Sequence, residues 1–264
     1  MNAKSPLSRY FASCALAILL GGGLLLWLGP RPVADLWIAT PAGSAELTRV
    51  QTHTWEEVAA LGEPLSALLP AEARSGLFFD ADNDGDLDVV VRVGPTPDQA
   101  YVQLFLRLDS GYREVADRLG SAFAMAHVFD DMMGVDVNGD GRLDVALLEN
   151  GDPVTILVNR FHRLPFLKLH LTATPESPSS NLTVRVDRSD RTILRQINEH
   201  HWSANRPLHI GLGAAPPPMV TVTVKWPDGE ESRFAGLLPN NVYRIIQSKS
   251  AADLHQQPRA QADE

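Results

Sequence analysis

Asp80-Ala-Asp82-Asn-Asp84-Gly85-Asp86-Leu-Asp88, running into Val89-Val90-Val91-Arg92-Val93, decides how this chain is read. The pattern returns 56 residues on as Asp136-Val-Asn138-Gly-Asp140-Gly141-Arg142-Leu-Asp144, running into Val145-Ala146-Leu147-Leu148. Both copies read D-x-[DN]-x-D-G-x-x-D. A hard cation such as Ca²⁺ takes six to eight oxygens, and alternate acidic side chains around a glycine-permitted turn supply them. A single copy could be a polar turn; two copies, each ahead of an apolar run, point to cation loops.

The spacing separates these loops from the EF-hand, which needs a bidentate Glu at position 12 and a helix on each side. Position 12 is Val91 in one copy and Leu147 in the other. The last acid falls at position 9. The expected ligands are side chains at positions 1, 3, 5 and 9 and the carbonyl at position 7. In loop one these are Asp80, Asp82, Asp84 and Asp88 with the Asp86 carbonyl; in loop two, Asp136, Asn138, Asp140 and Asp144 with the Arg142 carbonyl. Two Ca²⁺ sites are expected. Loop one presents four carboxylates, loop two three and an amide, so charge favours loop one as the tighter site unless rigidity reverses the order. The β-branched run 89–93 reads as a strand; the run 145–148 is ambiguous alone and takes its reading from the repeat.

Between the loops the chain reads strand, turn, strand: Tyr101-Val-Gln-Leu-Phe-Leu-Arg-Leu108, Asp109-Ser-Gly111, Tyr112-Arg-Glu-Val115. A period of this size signals an array such as propeller blades. With Phe79 ahead of the first Asp, the segment resembles the FG-GAP/VCBS family of integrin-type β-propeller blades. That resemblance implies Ca²⁺ loops that hold a blade together without being catalytic centres. Further on, Leu208-His-Ile-Gly211-Leu-Gly213, Val220-Thr-Val-Thr-Val-Lys-Trp226-Pro227-Asp-Gly229 and Leu238-Pro-Asn240-Asn241-Val-Tyr-Arg-Ile resemble the ASPIC/UnbV domain over roughly residues 165–247. That domain commonly follows FG-GAP repeats, as in cartilage acidic protein and its bacterial relatives. The tract Asn198-Glu-His-His-Trp-Ser-Ala-Asn205 departs from the Gly/Ser-rich stretch usual there.

The C-terminal residues support a β module without the family. Val220 to Trp226 alternates, as do Leu167-Leu169-Leu171 and Leu182-Val184-Val186. Trp226-Pro227-Asp228-Gly229 has turn chemistry, because Pro fixes φ and Asp and Gly accept turn geometry. The expected class is all-β: an N-terminal transmembrane helix, a short partial propeller-like blade array, then a small antiparallel β domain. The divisions are 1–30 (anchor), 31–75 (a join or degenerate blade), 76–165 (loop repeats), 166–247 (β domain) and 248–264 (a flexible tail). Two or three blades are too few to close a propeller. The array should therefore either pack on the C-terminal module or be completed by a partner chain.

No charged residue lies between Arg9 and Arg31, and about 20 apolar residues span a bilayer. Lys4 and Arg9 ahead of that segment predict a cytoplasmic N-terminus, with the β domains on the periplasmic or extracellular side of the inner or plasma membrane. Secretion after signal cleavage is the alternative, with a poor small-residue pattern at the candidate cleavage points. The single cysteine, Cys14, lies within the apolar segment, so the exported part has no disulfide and no thiolate nucleophile.

A formal charge of −9, concentrated in the loops, argues against nucleic acid, which needs Lys and Arg on phosphates. There is no G-x-S-x-G and no phosphate loop. The adjacent His200 and His201 would point to opposite faces of a strand, a poor start for a zinc site. His127, His170 and His209 are isolated. The chain is expected to be a non-enzymatic, membrane-anchored binding, adhesion or assembly module with structural Ca²⁺. Its partner would be a protein or a glycan, and it could act as an oligomer or an accessory subunit of a larger complex.

Overall fold

Hydrophobic alternation and β-branched runs become strands throughout the computed structural model, which describes residues 37–41, 53–54, 68–115, 123, 126–174, 182–197, 207–247 and 255–257. All of these belong to one compact unit, Asp35–Glu264. The expected anchor at 1–30, most of 31–67, residues 175–181, residues 198–206 with His200 and His201, and most of the expected tail lie outside the described residues. Among those described, no helix is long and apolar enough to cross a membrane.

Among the described residues the strands form four sheets. The first is the antiparallel order β2-β3-β4-β5-β6, from β2 (His53–Thr54), β3 (Ala73–Phe79), β4 (Asp88–Val93), β5 (Tyr101–Leu108) and β6 (Gly111–Glu114). The second is β1-β9-β8-β7, from β1 (Trp37–Pro41), β7 (Asp131–Val135), β8 (Asp144–Glu149) and β9 (Asp152–Asn159). Its outer strand β1 comes from the segment read as a join and pairs antiparallel along β9, Trp37 opposite Asn159 and Pro41 opposite Thr155. The second sheet is thus completed by the chain's own earlier strand.

Loop one joins β3 to β4 and loop two joins β7 to β8, so each loop links a sheet's corresponding pair of strands. The ambiguous run 145–148 is a strand, as the repeat implied. All six residues of β4 are buried. Val90 joins a core shared by the two sheets, with Leu77, Leu104, Val145, Leu147 and Leu157, while Val89, Val91 and Val93 pack with Phe78 and Phe105 on the opposite face. A sheet apolar on both faces requires such a continuous run rather than strict alternation.

The C-terminal module is a sandwich. One sheet has the order β13-β10-β16-β17, from β10 (Phe166–Thr172), β13 (Leu208–Gly211), β16 (Asn241–Ile246) and β17 (His255–Gln257). The other has the order β12-β11-β14-β15, from β11 (Leu182–Asp187), β12 (Thr192–Ile197), β14 (Val220–Lys225) and β15 (Glu231–Leu237). The expected alternation is real: Leu167, Leu169 and Leu171 of β10 meet Leu182, Val184 and Val186 of β11 in one core. Trp226 closes the β14–β15 hairpin, its ring N–H donating to Ser232 Oγ at 2.8 Å and its carbonyl accepting from Gly229 N at 2.9 Å.

One expectation needs correction. The module is not purely antiparallel, because β10 and β16 run parallel, with Leu167 opposite Asn241. Residues 255–257 form an edge strand on β16.

Candidate cation loops and their docking surface

Both loops fold through the same hydrogen bonds, position for position. The position-1 carboxylate accepts from the position-6 glycine N–H, Asp80 from Gly85 and Asp136 from Gly141, each at 2.9 Å. The position-5 carboxylate accepts from the position-7 N–H, Asp84 from Asp86 at 2.8 Å and Asp140 from Arg142 at 2.9 Å. The position-9 carboxylate clamps the loop to the sheet. Asp88 accepts from Ala81 N and Arg107 N, both at 2.7 Å; Asp144 accepts from Val137 N at 2.9 Å and Asn159 N at 2.8 Å.

Position 6 is left-handed in both copies, Gly85 at φ 97° and Gly141 at φ 86°. Position 4 is left-handed as well, filled by Asn83 (φ 59°) and Gly139 (φ 70°). Asn is among the few side-chain-bearing residues that visit that region routinely.

The carboxylates converge unequally. Asp80, Asp82 and Asp88 each bring an oxygen to within 4.8 Å of the others, the single such trio of His, Cys, Asp or Glu groups among the described residues. Asp84 is not in that trio, and the Asp86 carboxylate turns aside to Arg191 at 3.3 Å. Asp80 is fully buried. Its Oδ2 accepts from Gly85 N and from Gly211 N (3.0 Å), while its Oδ1 finds no hydrogen-bond partner among the described residues. Burial pushes its carboxyl up to about 7, against the lowering influence of Arg195 at 3.8 Å and with further raising by Asp84 and Asp82. Burial likewise raises Asp82 to about 6, and both Asp84 and Asp88 above their ordinary range. Mutually raised carboxylates around an orphaned buried oxygen suit a hard divalent cation, which takes oxygen ligands and relieves their repulsion.

Loop two brings no such trio together. Lys168 Nζ, from β10, pairs with Asp136. Asp140 carries the Arg142 guanidinium through Nε at 3.0 Å and through Nη2. Burial raises the Asp140 carboxyl, but the Arg142 side chain and N–H outweigh it and leave it below its ordinary value. Burial lifts Asp144 to about 7.

Both loops dock on the C-terminal sandwich, through residues that sequence reading had left aside. Asn83 O accepts from Gly213 N at 2.8 Å, and Asn83 Nδ2 donates to the carbonyls of Gly141 (2.8 Å) and Leu164 (3.3 Å). Since the amide nitrogen is committed to carbonyls, Asn83 Oδ1 is the acceptor for His209 Nε2 at 2.7 Å, which places the imidazole proton on Nε2. Burial, with Lys168 and Arg195 nearby, holds the His209 pKa well below its ordinary value, and the ring stacks on Phe166 at 5.4 Å. Arg195 Nη2 donates to the Gly85 carbonyl at 2.8 Å. Asn159 Nδ2 ties the loops together, donating to Ala81 O (2.6 Å) and Leu143 O (3.0 Å).

The motif Leu208-His-Ile-Gly211-Leu-Gly213 therefore has a physical meaning: it is the edge on which loop one rests. A Cβ at Gly211 would collide with the Asn83 backbone and the Asp80 carboxylate. Its paired glycines were the visible signal. Phe166 and Lys168 carried none, because an alternating strand displays its outward residues without showing what they meet.

Residues 177–252 match the ASPIC and UnbV family, overlapping most of the span whose motifs resemble it. A search of curated proteins returned no match. A solved structure of a candidate cell adhesion protein from Bacteroides ovatus is similar at 12% identity and a TM-score of 0.23, over 72% of this chain and 68% of that one.

Proposed function

We propose that this protein is a membrane-anchored, extracytoplasmic β module in which Ca²⁺ at loop one locks an FG-GAP/VCBS-like repeat half onto an ASPIC/UnbV-type sandwich. The Asp80 carboxylate carries this reading. One oxygen is gripped by N–H groups from both halves, Gly85 and Gly211, and the other is buried without a hydrogen-bond partner in a loop of raised carboxyls. Asp80, Asp82 and Asp88 would hold the ion, which supplies positive charge where burial alone disfavours the carboxylates. The role of the ion is structural: Asp80, Asp82 and Asp88 are committed to the cation and to backbone N–H groups, and so are not available as a carboxylate pair for acid–base work.

The chain then serves as a non-catalytic binding or assembly module for a protein or glycan partner outside the cytoplasm. Its own strand β1 completes the second sheet, which favours an array that closes within the chain over one finished by another subunit. A ligand that binds only the folded state raises stability by RT ln(1 + [L]/Kd), about 2.7 kcal/mol at 100-fold over Kd. Thermal unfolding of the full chain in chelator and along a Ca²⁺ titration tests the reading. A rise of several degrees that Mg²⁺ does not match supports it; an unchanged Tm at millimolar Ca²⁺ overturns it.

A further inference from the structure

The two loops share a backbone yet differ in what neutralises them. Loop one holds Asp80, Asp82, Asp84, Asp86 and Asp88 against Arg191 and Arg195. Loop two holds Asp136, Asp140 and Asp144 against Arg142 and Lys168. Formal charge therefore leaves three carboxylates unmatched in the first loop and one in the second.

The chemistry at each position follows the same division. The Asp136 side chain is 1% exposed and both its oxygens are engaged, Oδ2 by Gly141 N and the Lys168 ammonium and Oδ1 by Asp140 N at 3.1 Å, whereas Asp80 Oδ1 has no partner among the described residues. At position 7 the side chain is Asp86 in loop one, turned out to Arg191, and Arg142 in loop two, turned back onto Asp140 and donating to Phe161 O at 2.6 Å. At position 3, Asn138 folds onto its own loop, its Oδ1 accepting from Asp140 N at 3.1 Å and its Nδ2 donating to Asp140 Oδ2 at 3.0 Å. The donors of loop two are thus satisfied from within the chain. A divalent ion there would have to share Asp136 with a largely buried ammonium held over the Phe166 ring, a like-charge contact in a weakly screened site.

We propose that loop two is not a metal site: Lys168, delivered by β10 of the sandwich, is its resident cation, and the chain takes one divalent ion, at loop one. This rests on the reading of loop one above. The first loop is then neutralised by a metal that can be removed, and the second by an ion pair that cannot.

Calorimetric titration of the full chain with Ca²⁺ gives the stoichiometry. One equivalent is expected for the unsubstituted protein, none for Asp80→Asn, and one for Asp136→Asn, since Asp136 binds no metal. Lys168→Met, which keeps the apolar stem over Phe166, is expected to bind two equivalents, and Lys168→Arg one. Two equivalents in the unsubstituted protein, falling to one in Asp136→Asn, would overturn the assignment of Lys168 and leave the reading of loop one intact. A folded Lys168→Met protein that still binds one equivalent would also overturn it. No binding by the unsubstituted protein would remove the loop-one reading and this inference together. Asp136→Asn settles the question independently if Lys168→Met does not fold.

Discussion

His209 Nε2 donates to Asn83 Oδ1 at 2.7 Å, joining a strand of the C-terminal sandwich to the left-handed residue of the first cation loop. Both groups are buried, so the bond is made in a weakly screened interior where an unmade partner is costly. His209→Phe keeps a ring to stack on Phe166 but leaves the Asn83 oxygen without its donor. A loss of about 1–3 kcal/mol is expected from the stranded acceptor. Urea denaturation reads it directly, and an unchanged midpoint would mean that water replaces the imidazole.

Gly141 and Gly139 make a matched pair for separating conformational strain from crowding. Both are left-handed, at φ 86° and φ 70°, but a Cβ at Gly141 would run into the Phe166 ring while one at Gly139 meets nothing within 4 Å. Gly139→Ala should cost about 1–2 kcal/mol, the left-handed penalty alone. Gly141→Ala should cost about 1–3 kcal/mol more, from overpacking against Phe166. Equal losses in thermal unfolding would show that the loop moves away from the sandwich at little cost.

The response to pH in chelator is set by carboxyls raised in the folded state. Asp80 and Asp144 at about 7 and Asp82 at about 6 stand above their ordinary value of 3.8, so between roughly pH 4 and 7 the folded chain binds more protons than the unfolded one. Their contribution is full at low pH and lost as pH rises through the folded values. His209 and His170, both lowered by burial, act in the opposite sense below about pH 6.5, but they are two groups against five raised carboxyls. Without divalent ions, Tm should fall from pH 5.5 to 7.5. With Ca²⁺ the trend should flatten or reverse, because the ion competes with those protons. A Tm that rises with pH in chelator would contradict the raised values.

Asp80→Asn separates the loop's charge from its shape. The amide oxygen can still accept from Gly85 and Gly211, while the buried charge is gone. At pH 8 in chelator the variant should unfold at a higher temperature than the unsubstituted chain, and its Tm should not respond to Ca²⁺. A lower Tm in chelator would show that the pairing of Asp80 with Arg195, at 3.8 Å, outweighs the desolvation of the carboxylate.

Much of the scaffold was legible because its signals are local. The alternation at 182, 184 and 186 became β11, the continuous run at 89–93 became a strand buried on both faces, and Trp226-Pro227-Asp228-Gly229 became the hairpin turn. Side chains repeat every two residues in a strand, so a face can be counted without knowing what it meets. The strand Trp37–Pro41 was not placed in advance, since its pairing with β9 joins segments more than a hundred residues apart and leaves no period in either.

The loops divide along the same line. Sequence by itself determined two homologous turns: the acids at positions 1, 5 and 9, the Asp or Asn at position 3, the glycine at position 6, and the strand that follows each. These depend on backbone geometry within nine residues, and the structure repeats their hydrogen bonds in both copies. Tertiary structure alone decided that the copies are not equivalent. Lys168 reaches Asp136 across 32 residues and His209 reaches Asn83 across 126, contacts that exist only once the sandwich folds against the loops. Charge neutralisation in a buried site is a sum over everything nearby in space, and a linear pattern records only what is nearby along the chain.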